Sequence, residues 1–424
     1  MDLIGFFDSD ELELPKTYNA GDFEGYIDSC FTAYLASLRG LQGGDPVVAN
    51  LKTSIGVAED LCQVIRQSIS RYLDGYPSEA FNTLANGVAA IEHPWLDALG
   101  SLPDVSEALQ HMYRVRTGAG VLQGRRELFH IPYHLRHLVT TQRYSIPGFP
   151  SLYLGGSLWV CWEELGRPPF DSMNVARFRP APDVPVKILD FGWRPARMAA
   201  LIDHDASVLA RPDYAKFIGS QAICWPLLAA CSVRVRNPGA AFVPEYIVPQ
   251  LLLQWVRLTK DFDGIRYFST RMDQYVNDPH AEANFVFPAT KSQVEGHCSE
   301  LRHKFLLSEP AAWSILRSTD FPGGGRRPPT WKIELVKGSP IGYLHTHFWE
   351  CENKVDAFPC DRVSAGQRVH QVGRFGDAQR TSLSRRRHTS APARVSAARC
   401  DQVKASFSEH RATLRAVDRI VSRG

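Results

Sequence analysis

Three side chains spaced over 22 residues carry the most chemistry in this chain: Arg143, Tyr153 ten residues on, and Glu164 eleven further. A guanidinium can pair bidentately with phosphate, and a tyrosine ring can stack on a flat heterocycle. A carboxylate can hydrogen-bond a ribose hydroxyl and stabilise an oxocarbenium-like centre, as carboxylates do where glycosidic bonds break. Together they suit a ligand built from phosphate, sugar and an aromatic base. Each also has a structural reading. Arg143 and the earlier Arg114 could be strand residues in surface ion pairs, Tyr153 a core aromatic, and Glu164 part of a solvated helix face. Glu163 competes with Glu164 for the acidic role, or orients it.

These residues can converge if local structure brings them together. Residues 140–156, TTQRYSIPGFPSLYLGG, read as a strand, a Pro147-Gly148 turn and a second strand through Leu152-Tyr153-Leu154. That reading places Arg143 and Tyr153 on neighbouring strands. Ser157 is positioned to cap a helix through SLWVCWEELG, whose buried stripe is Leu158, Cys161, Trp162 and Leu165. Glu164 then lies roughly 120° off the stripe, free to face a cleft. Tyr113-Arg-Val-Arg116 is a further short strand candidate, and Asp263-Gly264 turns into a strand Ile265–Phe268 that ends at Ser269, itself readable as a strand-end cap. The segment His130–Tyr133 with Arg136-His137 either lines the cleft entrance or packs a loop.

At these residues the chain resembles the RES domain, named for its Arg, Glu and Ser and found in bacterial toxins that consume NAD. The matching elements are Tyr113-Arg114, Arg143 before Pro147-Gly148, the Tyr153–Glu164 interval, Asp263-Gly-Ile-Arg-Tyr-Phe-Ser269, and Asn284-Phe-Val-Phe287 as a closing strand. The resemblance covers roughly residues 109–290. It implies an ADP-ribosyltransferase-like fold in which Arg114 and Arg143 hold the pyrophosphate and nicotinamide-ribose side. Tyr153 would stack near nicotinamide, Glu164 would stabilise the ribosyl cation, and Ser269 would hydrogen-bond nicotinamide or ribose. NAD is then the substrate and no metal is needed. The reaction implied is cleavage of the nicotinamide–ribose bond by a glycohydrolase or phosphorylase. Two alternatives stand beside it: transfer of ADP-ribose to protein, and a non-catalytic interaction module with a relic fold. An antitoxin-type protein is the partner implied.

The rest of the chain sets the frame. With 424 residues, 44% apolar and 22% charged, it is an ordinary globular composition. The net charge of +3 divides unevenly: residues 361–424 hold 14 Lys and Arg against 5 Asp and Glu, leaving residues 1–360 at −6. Such a body excludes a general nucleic-acid binder. The longest apolar run, about Ala222 to Val233, is too short to span a bilayer and contains Pro226. The start MDLIGFFDSDELE has no basic region and does not read as a signal peptide. Nine scattered cysteines without a CxxC then suggest reduced thiols and a cytoplasmic protein. Cys161 reads as a core residue.

The expected class is α+β: a mixed β core with short helices, a helical N-terminal domain and a basic tail expected to be disordered. The periodic stripes Leu61/Ile65/Ile69/Tyr72 and Phe81/Leu84/Val88/Ile91 mark two N-terminal helices. Expected boundaries are 1–108 for the helical domain, 109–295 for the catalytic domain, 296–355 for a strand-rich extension and 356–424 for the tail. Within the extension, 330–350 reads as a hairpin around Gly338-Ser339-Pro340. His345 and His347 would share a strand face there, with His297-Cys298 near in sequence; that set is a weak zinc candidate, and buried or solvent-facing histidines are the simpler reading.

Overall fold

The computed structural model describes residues 1–364 apart from 20, 101–102, 119–123, 238, 273–277, 279 and 321–322. All described residues belong to one compact unit, Met1–Gln367; the expectation for the basic segment from 365 onward falls outside them. The class is α+β, with a helical N-terminus and a mixed sheet.

Among the described residues, eleven strands occur in chain order: β1 Met112–Thr117, β2 Ser151–Gly155, β3 Met173–Pro180, β4 Ile188–Phe191, β5 Gly264–Phe268, β6 Ala283–Pro288, β7 Phe305–Ser308, β8 Ala311–Ala312, β9 Lys332–Val336, β10 Ser339–Gly342 and β11 Cys360–Arg362. Nine form one sheet in the order β11-β7-β3-β1-β2-β6-β5-β4, with β8 also on β3. Only β4 and β5 pair in parallel; the other pairs are antiparallel. On β6 the period-2 rule divides the side chains. Ala283, Phe285 and Phe287 enter one core, while Val286 enters another with Ile265 of β5. Register sets Tyr153 opposite Val286, and Tyr267 opposite Asn284. Tyr153, Asn284 and Tyr267 therefore share one face of the sheet.

The two expected N-terminal helices form, at Ile55–Leu73 and Pro77–Ala90, with Leu61, Ile65, Ile69, Leu84 and Val88 buried. Full burial of such side chains contributes about 1.5–3 kcal/mol each, so packing rather than propensity holds these helices. Gly75 at φ 88 supplies the break between them. They do not form a core of their own, contrary to a boundary at 108. Their stripes join one cluster with Leu189, Phe191 and the helices Pro212–Ile223, Trp225–Cys231 and Ile247–Thr259. Tyr34 stacks on Trp225 at 4.7 Å between centroids and donates to the Ala222 carbonyl, and Trp225 Nε1 donates to the Leu12 carbonyl.

Three further expectations change. The 296–355 segment is not simply strand-rich: helices Ser299–Lys304, Trp313–Ser318 and His347–Asp356 alternate with β7–β10. The hairpin around Gly338 is present as β9–β10, but His345 lies in a short 3-10 turn and His347 opens a helix, where it meets Arg317 and Glu350. Thr346 caps that helix by accepting from Trp349 N, which ends the extended conformation. The tail does not begin at 356: Asp356 accepts from the buried Tyr113 hydroxyl, and β11 joins the sheet on β7.

Candidate active site

Glu164 ends a seven-residue helix, Leu158–Glu164, whose start is fixed three times over. Ser157 Oγ accepts from Val160 N and donates to the Ala281 carbonyl, while Glu352 Oε1 accepts from Leu158 N at 2.6 Å. The approach from β2 is through Gly155-Gly156, where a Cβ on Gly156 would lie 2.1 Å from the His280 carbonyl oxygen. Glycine is required there by space. Gly166 at φ 76 and Arg167 at φ 58 then turn the chain away behind Glu164.

The Glu164 carboxylate is held from two sides. Oε1 accepts from Ser269 Oγ at 2.6 Å and from Asn284 Nδ2 at 2.9 Å. Oε2 faces Arg271 Nε at 3.2 Å, with the glutamate side chain 32% exposed and the arginine 48%. Charge-assisted bonds of this kind fix the position of the carboxylate. Glu163, by contrast, is buried. It accepts from Trp159 Nε1 and from Arg167 Nε, so it braces the helix end while Glu164 meets the opening.

That opening is a cleft of about 760 Å³, of a size that encloses a dinucleotide-scale ligand. Its wall holds five arginines (114, 143, 167, 234 and 271) against two carboxylates, Glu163 and Glu164. A body with net negative charge thus carries a locally positive cavity, the condition for an anionic ligand. Tyr153, Tyr246 and Tyr267 add aromatic wall.

The sequence placed Arg114, Arg143, Tyr153 and Glu164 at one site, and all four line this cleft. Arg114, on β1, donates to the Tyr153 carbonyl at 2.8 Å; burial pushes it down to about 10, so it stays charged at neutral pH. Its buried Nε has no hydrogen-bond partner among the described residues. Tyr153 donates its hydroxyl to the Tyr144 carbonyl at 2.6 Å, and burial raises its pKa. The expected strand around Arg143 is absent. Pro147-Gly148 does make a tight turn, with Phe149 N bonded to the Ile146 carbonyl, but Arg143 sits in the irregular segment before it. Prolines 147 and 150 lack ladder donors, so this segment cannot extend β2's partner. Arg143 is anchored instead by the Cys231 and Val233 carbonyls and Thr270 Oγ1, at 3.0, 2.8 and 2.8 Å.

Ser269 is fully buried and stands behind Glu164 rather than in the cleft wall, its hydroxyl also accepting from Arg271 N at 3.2 Å. Sequence reasoning passed over Arg271, Arg234 and Arg167, and gave Asn284 no role. The signal for Arg271 was its place two residues after Ser269; for Asn284 it was a polar residue inside an otherwise apolar strand. Of the His130 segment, Ile131 lines the cleft. His130 is structural: burial pushes it down to about 3, and its ring nitrogens meet the Ile131 carbonyl and Cys298 N. Among the described residues, no three His, Cys, Asp or Glu side chains are arranged to hold a metal ion. No described helix is long and apolar enough to cross a membrane.

The putative toxin YopC of Bacillus subtilis (strain 168) is 32% identical to this chain over 328 residues, spanning 75% of this chain and 72% of YopC. The chain belongs to the YopC family. No protein-family model matches the sequence, and no solved structure matches it. The YopC match is long enough that it must take in much of the sheet and helices around the cleft.

Proposed function

We propose that this protein is a toxin-like enzyme that consumes NAD by cleaving the nicotinamide–ribose bond, with the sheet as an ADP-ribosyltransferase-like core. The observation that carries the reading is the Glu164 carboxylate, held by Ser269 and Asn284 at a cleft lined by five arginines. Its YopC relative, named a putative toxin, supports the harmful outcome that loss of NAD would bring.

The arginines of the cleft wall would hold the diphosphate. Tyr153 and Tyr267 offer rings for the nicotinamide side. The C1′–N bond breaks with its electron pair leaving on the nicotinamide nitrogen, which becomes neutral. The resulting ribosyl cation faces Glu164. Water then adds at C1′ and a proton is released, giving ADP-ribose, nicotinamide and H⁺; inorganic phosphate or a protein nucleophile can take the place of water. A carboxylate about 4 Å from that cation, at an effective dielectric of about 20, contributes about 4 kcal/mol. That corresponds to roughly a thousandfold in rate.

Purified protein incubated with NAD, with and without phosphate, should release nicotinamide, and Glu164→Ala should lose about a thousandfold. Label from adenylate-labelled NAD appearing on protein would assign a protein acceptor. Wild-type protein that leaves NAD intact in every arm overturns the reading. Expression of the wild type should also arrest growth unless a protein regulator of the antitoxin type restrains it, and Glu164→Ala should not.

A further inference from the structure

We propose that Arg271 selects for a phosphorylated nicotinamide substrate by exchanging its bond to Glu164 for one to the substrate's diphosphate. This rests on the NAD-cleaving reading and specifies how the site recognises its substrate.

The two oxygens of Glu164 are treated differently. Oε1 is filled by two neutral donors, Ser269 and Asn284, which fix the carboxylate without cancelling its charge. Among the described residues, Oε2 meets one cation, Arg271, whose Nε lies at 3.2 Å. A half-exposed, single-point ion pair of this kind is weak and readily exchanged. A diphosphate offers the same guanidinium more charge and a bidentate geometry.

The other cleft arginines are each anchored to the protein as well, Arg234 by a bond to the Met272 carbonyl. Arg143 is held by two carbonyls and a hydroxyl, Arg114 bonds the Tyr153 carbonyl, and Arg167 pairs with Glu163. Arg271 differs in that its partner is the acid the reaction needs. Its main chain is pinned by the bond from Arg271 N to Ser269 Oγ, so the side chain can swing while its root stays fixed. While it sits on Oε2, a positive charge occupies the neighbourhood in which the ribosyl cation must form. Like charges at that range oppose the cation. Arrival of a diphosphate draws the guanidinium away and frees Oε2, while Ser269 and Asn284 keep hold of Oε1. A nicotinamide nucleoside without phosphate has no means to do so.

The test compares NAD with nicotinamide riboside as substrates for wild type and for Arg271→Ala, with circular dichroism and Tm as controls for folding. Wild type should favour NAD by well over tenfold in kcat/KM. In Arg271→Ala, kcat/KM for NAD should fall about ten- to a hundredfold, the value of one charge-assisted bond, while nicotinamide riboside turnover holds or rises. The preference therefore collapses. Equal wild-type use of both substrates overturns the exchange, as does a parallel loss on both in the variant, which would make Arg271 a simple brace for Glu164. Wild type inert on both removes the NAD-cleaving reading itself, and the exchange with it.

Discussion

Replacing Ser269 and Asn284, singly and together, probes the candidate site most directly, because both donors converge on Oε1 of Glu164. A hydrogen bond to a charged group contributes roughly 1.5–3 kcal/mol. Glu164 is about one-third exposed, and solvent screening takes each bond toward the lower end of that range. Ser269→Ala and Asn284→Ala should therefore each lower kcat for nicotinamide release by about tenfold. The Ser269 bond is the shorter, and its loss also strips Arg271 N of its acceptor, so Ser269→Ala should cost more than Asn284→Ala. The two effects should not multiply. Once one donor is lost the carboxylate reorients, so the double variant should fall short of the product of the singles, as happens for groups acting on one atom. The assay is initial-rate nicotinamide release under saturating NAD, with Tm measured alongside. Folded single variants that both turn over within about twofold of wild type would refute the claim that these bonds hold a working Glu164.

Two further predictions concern the support of the same helix. Burial pushes the Glu352 carboxyl up from 4.5 to about 7, so between these values the folded chain keeps a proton that the unfolded chain releases. Stability from this group is thus present at low pH and lost as pH rises toward 7; Tm against pH should fall more steeply for wild type than for Glu352→Gln, and parallel curves would contradict the assignment. Gly156→Ala forces a methyl to within 2.1 Å of the His280 carbonyl oxygen, a clash with main chain that should cost about 1–3 kcal/mol or more. Tm and nicotinamide release should drop together, and a variant normal in both would show that the turn can relax.

Much of the local structure was legible because each signal was short-range. Ser157 at the head of SLWVCWEELG announced a capped helix, and the four- and three-residue spacing of Leu61, Ile65, Ile69 and Tyr72 announced another. The convergence of Tyr153 and Glu164 was legible through spacing, since a strand and the helix that follows it leave few alternatives, while Arg114 came to the site through the family resemblance. What failed was long-range. Arg143 reaches the cleft from an irregular segment through carbonyls some 90 residues away, at Cys231 and Val233, and no local pattern encodes that. Arg271 looked like one more arginine until folding set it against Glu164. The short strand Cys360–Arg362 was hidden because three residues of edge strand leave almost no periodicity to read. The partner of the N-terminal helices stayed open between each other and the next domain, because a stripe shows that a face is buried, not what covers it.

The bond from Leu158 N to Glu352 has a consequence for the order in which the protein is made. Every side chain of the cleft wall, from Arg114 to Asn284, leaves the ribosome well before Glu352 does. A nascent chain halted at residue 300 would own the whole constellation yet lack the carboxylate that secures the start of its acidic helix. Domains generally fold as units. The start of the helix that carries Glu164 is thus secured late, by a residue near the end of the folded unit.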